Sequence, residues 1–482
     1  GEFSNLTLLP IGENLVTNSI PSSVGNLTSL LRLALYQNKL NGTIPSTVGN
    51  LTNLKIMEMK NNSFTGSLPE SFSALENLVL LDVYLNQLTG TVPSFVSNML
   101  QLQYLDIYEN KYHGTIPSYL GNLHFLRYLY LGKNALTGTI PDMFANLQNL
   151  VSFYANTNKL VGTVPSSFSQ LPNLQFLFLH ENGLFGNLDK VFNSSVQKKM
   201  KNVILYDNKF TGNLPEQLFN ISSVEVVDCG NNCLDGALPQ TICASKSLKT
   251  LALDGMCAAP HCRNYLFPGL STYILRNTLS NGIPQCLLEL PQLETLHISG
   301  NGVSGSLPPY ATLSDTFTDL ALSQNFITGE LPLYIQTRKW SSLDLNNNRV
   351  RGTLSPDFVE QSSTAQLKLA NNRLSGPIPE SIIDATGTVS ILDGNLFECN
   401  YLKSDLPEED NKRNSYECGS NTFNLSMYVW LGVALIMIGI LSIYAVGNRD
   451  SVVAICKLIS SVLISQAHLL DEWDLPGPGA EG

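Results

Sequence analysis

The sequence predicts an α/β solenoid: one long parallel sheet of short stacked strands, helical or 3-10 segments on the opposite side, and then a single transmembrane helix. Three observations predict it. Asparagine recurs every 24 residues from Asn14 to Asn182, an apolar-x-apolar pair stands before each, and a charge-free apolar run occupies 427–446. A fixed internal period outranks any residue-by-residue assignment, because one supersecondary unit is being copied along the chain.

The asparagine column reads 14, 38, 62, 86, 110, 134, 158 and 182, then 208, 232, 277, 301, 325, 348, 372 and 395. The two apolar residues before all but two of these asparagines alternate with polar or aromatic ones, the mark of a short strand with one buried face. The asparagine falls where the chain leaves that strand. Its amide both donates and accepts, so it can satisfy backbone groups that the turn orphans, at about 1–3 kcal/mol each if they were left unpaired. Glycine stands four places later in thirteen units, with Asn18 and Asn281 as substitutes in two more, which indicates positive φ at that turn. Proline stands seven places later, also in thirteen, opening the convex segment that closes on pairs such as Leu51 and Leu54. No unit buries its leucines alone, so stability is shared between neighbours.

The motif Leu33-x-Leu35-x-x-Asn38-x-Leu40-x-Gly42-x-Ile44-Pro45 resembles the plant-type leucine-rich-repeat family of receptor-like kinases, receptor-like proteins and secreted polygalacturonase inhibitors. The resemblance covers about residues 5–420. It implies a curved, twisted solenoid whose concave strands bind an extracellular protein, peptide or glycan, with signalling through a partner such as a co-receptor kinase. A surface-held enzyme inhibitor or cell-wall adhesion module is the alternative that the same family offers. No cofactor, metal or catalytic set is expected. Gly300–Gly305 spells a dinucleotide fingerprint, but Asn301 and Gly305 are repeat columns and no Rossmann helix follows. A net charge of −11 also argues against nucleic acid.

Residues 1–395 are assigned to the solenoid and 396–420 to a C-terminal cap. Leu6 already lies inside a repeat with no capping segment before it, so the chain is expected to begin within a longer protein. Between Asn232 and Asn277 the interval is 45, with Met256 where an asparagine is due. The expectation is one 24-residue unit and then an irregular, cysteine-rich unit of 21, at 254–276. Cys233 and Cys257 each follow the column by one, on strands about 4.8 Å apart, within disulfide reach. They are expected to pair, as are Cys262 with Cys286 and Cys399 with Cys418, and Cys229, in a core strand column, is expected to be a buried free thiol; the six cysteines from Cys229 to Cys286 allow fifteen pairings, so their connectivity stays open. A zinc site at Cys257, His261 and Cys262 is the weaker reading, for want of paired Cys-x-x-Cys spacing.

Met427–Val446 reaches about 30 Å as a helix, enough to span a bilayer. It follows a juxtamembrane stretch at 421–426 and precedes a short tail at 447–482. Lys412 and Arg413 balance Arg449 and Lys457, so basic residues do not set the orientation. Disulfides and sequons do. The repeats are expected outside the plasma membrane, single-pass, with the tail inside and glycans at Asn26, Asn50 and Asn220 on the convex side. The 36 residues after Val446 are too few for a kinase, hence the expected partner.

The strand columns also mark the surface. Four places before the asparagine stand Asp82 and Asp106, then Tyr130, Tyr154 and Phe178. Two places before it stand Tyr84, Tyr108, His180 and Tyr206, and six places before it Tyr104, Tyr128 and Phe176. These twelve are the expected ligand-binding residues, an aromatic band with an acidic strip at its N-terminal side. Beyond Asn301 the same columns carry Ser299, Ala321, Ser323, Asp344 and Asn346, with no such band.

Overall fold

A computed structural model describes residues 5–256, 279–280 and 282–419. Sixteen short strands, from Leu8–Pro10 to Thr388–Ser390, form one parallel sheet, each strand beside its sequence neighbour. Corresponding columns lie in register: Leu81 pairs with Leu105, Leu105 with Leu129 and Leu129 with Phe153. Inside the coil, Leu33, Leu35, Leu40, Ile44, Val48, Leu51 and Leu54 are all buried. The convex side is built of short 3-10 turns such as Ser46–Asn50 and four-residue α-helices such as Glu216–Phe219, each entered through the column proline. Asn26, Asn50 and Asn220 end these segments and are exposed.

The asparagine column makes the bonds that its chemistry suggests. Asn62 Nδ2 donates to the carbonyls of Leu35, Met59 and Lys60 at 2.9, 3.1 and 3.2 Å, and its Oδ1 accepts from Leu40 N at 3.1 Å. Leu35 and Leu40 belong to the preceding unit, so each amide ties two coils together. Asn208, Asn232 and Asn301 are almost wholly buried, where an unbonded amide would be costly. The column glycines take positive φ as expected, Gly42 at 74° and its substitute Asn18 at 70°. Less expected is the residue just before the asparagine, which is also left-handed in most units, including Leu85 and Thr157 at 52°. A second ribbon of 11 strands, Thr17–Asn18 to Leu279–Ser280, runs beside the main sheet along the segments that follow the asparagines.

Two expectations about the irregular region change. The strand Thr250–Ala252 pairs directly with Thr295–His297, a step of 45 residues where neighbours normally lie 24 apart. Among the described residues, no strand of the main sheet comes from the stretch between them. Leu279 pairs with Gly236 as a residue two places after a column asparagine does elsewhere. The region is therefore one unit carrying a 21-residue insertion (45 − 24), rather than a regular unit and a separate irregular one. Direct stacking of the flanking units also brings Cys243, in the turn Gln240–Ala244, against Cys286, in the helix Gln285–Leu288. These two form a disulfide with Cα atoms 5.5 Å apart, which overturns the expected Cys262–Cys286 pair. Cys233, Cys399 and Cys418 are each disulfide-bonded, and Cys229 is a buried free thiol whose pKa is pushed up by burial. Cys257, His261 and Cys262 lie outside the described residues, as do the segments 427–446 and 447–482. Among the described residues no helix is long and apolar enough to cross a membrane.

The last coil is closed by the segment after Leu396–Phe397. Asp410 Oδ2 accepts from Ile391 N and Leu392 N at 2.7 and 3.0 Å, and the Tyr416 hydroxyl donates to the carbonyls of Asn395 and Phe397 at 3.1 and 3.2 Å. Backbone groups that a further repeat would have bonded are satisfied there instead.

Candidate functional site

The concave sheet of the N-terminal half carries a groove of about 570 Å³. Nine of the twelve expected residues line it: Asp82, Tyr84, Tyr104, Asp106, Tyr108, Tyr130, Tyr154, Phe178 and His180. Parallel register brings them together, with Tyr130 opposite Asp106 on one side and Tyr154 on the other, and Tyr154 opposite Phe178. Strand spacing of about 4.8 Å is also a good ring-stacking distance. Tyr130 and Tyr154 lie 4.5 Å apart, Tyr154 and Phe178 stack at 4.2 Å and 6°, and Tyr104 meets Tyr130 edge-on at 5.5 Å. These rings are half-buried and present their edges to the groove, since their faces are spent on one another. Tyr128, Phe176 and Tyr206 lie on the same sheet outside the groove, Tyr128 packed on Tyr104 and Tyr206 stacked on His180 at 4.5 Å.

The acids differ from expectation in their depth. Asp82 and Asp106 hold adjacent places on neighbouring strands, yet are only 2% and 6% exposed beneath the surrounding side chains. Asp82 accepts from Tyr84 N at 3.1 Å and pairs with Lys60 at 3.1 Å. Asp106 accepts from Tyr108 N at 2.9 Å and from the Tyr104 hydroxyl at 3.1 Å. Burial, and then the charge of Asp82, push the Asp106 carboxyl up to about 7. Burial also raises Asp82, against the pull of Lys60. Tyr154 is pushed up to about 12, again mainly by burial, so its hydroxyl stays a neutral donor near pH 7.

Lys60, Gln37, Asn61 and Asn156 also line the groove. Asn156 is 3% exposed; its Nδ2 donates to the Tyr108 hydroxyl at 3.2 Å while its Oδ1 has no partner. Tyr108 reaches it by crossing Gly132, where an added Cβ would stand 2.5 Å from the tyrosine ring and 2.6 Å from Asn156 Oδ1. Gly132 and Asn156 occupy the same column as Tyr84, Tyr108 and His180. That place in the repeat is the signal that could have marked them.

Stacked coils with this asparagine ladder define a leucine-rich-repeat protein. More narrowly, its repeats are similar to those of plant receptor-like leucine-rich-repeat proteins. Family models for the leucine-rich repeat match residues 124–184, and 53–75 and 101–123. Receptor-like protein 32 of Arabidopsis thaliana is 29% identical over 168 residues, 35% of this chain and 17% of that protein. Receptor-like protein 35 of Arabidopsis thaliana is 34% identical over 176 residues, 34% of this chain and 18% of that protein. The matches thus span under a fifth of these curated relatives. Among solved structures, the plant peptide hormone receptor RGFR1 in complex with RGF2 superposes with a TM-score of 0.72 at 29% identity, over 84% of this chain and 61% of that one. The PEPR1–AtPEP1 structure gives 0.68 at 26%, over 83% of this chain and 56% of that one.

Proposed function

We propose that this chain is a receptor-like recognition protein whose concave aromatic groove captures an extracellular peptide. The observation that carries the proposal is the groove itself: consecutive strands place ring upon ring around a 570 Å³ hollow, on a sheet that folds elsewhere without such rings. Exposed aromatic edges with hydroxyl tips offer apolar contact and hydrogen bonds together, as ligand-binding surfaces commonly do. RGFR1 and PEPR1, which share the scaffold, were solved with RGF2 and AtPEP1 bound. The repeats face the extracellular side, glycosylated at the exposed Asn26, Asn50 and Asn220, and the charge-free apolar segment 427–446 anchors the chain in the plasma membrane. Disulfides such as Cys243–Cys286 support that compartment. Signalling then passes to a membrane partner, a co-receptor kinase.

The test is selection of a randomised peptide library on the full chain. Retained peptides should lose binding to a Tyr130→Ala, Tyr154→Ala variant whose melting temperature falls by only a few degrees, since ring pairs of this kind contribute about 0.2–1 kcal/mol each. Peptides that hold both forms equally, or a variant that no longer folds, would count against the groove as the binding site.

A further inference from the structure

We infer that the acidic end of the groove is a seat for a cationic side chain, so that the captured peptide carries a lysine or arginine held against Asp82 and Asp106. The inference rests on the peptide-binding role proposed above and adds what the ligand must contain. Glu58, the next acid toward the N-terminus, is already engaged by Arg32 at 2.7 Å. Lys60 pairs with Asp82. Among the described residues Asp106 has no cation within ion-pair distance, and its protein partners are a backbone N–H and a tyrosine hydroxyl. Two buried carboxylates in register thus have one ammonium between them, and Asp106 is left beneath the rings without a cationic partner.

The unused hydrogen-bonding capacity has the same sign. Asn156, lining the same groove and nine-tenths buried, has an Oδ1 with no donor. A lysine or arginine brings the positive charge that Asp106 lacks, and its N–H donors are of the kind that this end of the groove leaves wanting. A sugar hydroxyl could donate to a carboxylate but would leave the charge uncompensated. The ring geometry fits the rest of such a residue. With their faces stacked on one another, Tyr130 and Tyr154 offer apolar edges along which a lysine or arginine stem can lie while its head reaches the acids.

The test uses the peptides selected on the full chain. Those that depend on Tyr130 and Tyr154 should share a lysine or arginine at one position. Replacing that arginine by citrulline, or lysine by norleucine, should weaken binding to the unaltered chain by about ten-fold or more, as loss of a buried charge partner does. Asp106→Asn should weaken the cationic peptide by a similar factor and the neutral analogue hardly at all. Peptides that need the tyrosines but tolerate citrulline would overturn the cation seat and leave the groove standing as a binding site. Peptides that ignore the tyrosines, or selection of neutral oligosaccharides in their place, would overturn both. The peptide substitution requires no altered protein, so misfolding of Asp106→Asn cannot blur the answer.

Discussion

On either side of the 21-residue insertion the strands repeat one backbone and present different faces to the hollow. Toward the N-terminus, Tyr130, Tyr154 and Phe178 follow one another in register; beyond the insertion the same column runs Ala321, Asp344 and Lys368. The ladder beneath does not register the change. Asn158 Nδ2 donates to the carbonyl of Leu131, one unit back, at 3.1 Å, and Asn372 Nδ2 to that of Leu345 at 2.9 Å. What the coil needs for folding is supplied by buried columns alone, and the outward columns are free to vary. A ring stack confined to one half is therefore an addition to the scaffold, and additions that the fold does not require point to a ligand.

The largest effects should be indifferent to this difference. Leu131 and Leu322 are both fully buried, one in each half. Leu131→Ala and Leu322→Ala should each cost about 2–5 kcal/mol in chemical denaturation. A much smaller loss for one of them would mean that the two halves are not equivalent scaffolds.

The next effect belongs to the aromatic half alone. Asp106 is pushed up to about 7 because the fold buries it beside Asp82. A carboxyl raised above its unfolded value of 3.8 makes its stabilising contribution below that pH, and loses it as pH climbs through about 7. Above that pH the penalty for the charged form is about 2–4 kcal/mol. Asp106→Asn should therefore melt higher than the unaltered chain at pH 8, and the gap should narrow steadily as the pH falls toward 3.8. Asp82 and Asp228 are raised by burial as well, so the difference between the two proteins, rather than either profile alone, isolates Asp106. Identical profiles would show that Asp106 is paired or hydrated in solution.

Much of this was legible from column arithmetic. The strand register, the buried asparagines, the positive-φ glycines and the aromatic band all follow from a period that places equivalent residues one above another. What stayed hidden depends on relations between columns. Asp82 and Asp106 read as surface acids because alternation says which face a residue takes, but only the rings beside it decide whether water reaches it. Asn156 and Gly132 stand in an aromatic column without rings of their own, and Tyr108 crosses one to bond the other. Cys243 and Cys286 are 43 residues apart and meet only because the sheet steps over the insertion. Leu85 and Thr157 give no compositional sign of left-handed backbone, since their position is imposed by the asparagine that follows.

The smallest expected effect puts one histidine from each half in the same experiment. His180 stacks on Tyr206 at 4.5 Å, and burial there holds its pKa below the ordinary 6.5 against the pull of Glu181 and Asp207. His297 sits between Asp319, 3.0 Å from Nε2, and Asp254, 3.6 Å from Nδ1. The close approach of the Asp319 carboxylate is the main cause lifting it above 6.5. The signs are opposite. His180 favours the fold above pH 6.5 and loses that contribution as pH falls through its lowered value, whereas His297 favours the fold below 6.5 and loses it as pH rises through its raised one. Each is half-buried, so the stability at stake is about 1 kcal/mol or less. Imidazole proton shifts, assigned with His180→Gln and His297→Gln, should titrate in that order. Asp319→Asn should lower the His297 midpoint and leave His180 unmoved, while Tyr206→Ala should bring His180 back toward 6.5. A single shared midpoint would mean that water reaches both sites alike, and the contrast between a ring-lined and an acid-lined concave surface would lose its electrostatic basis.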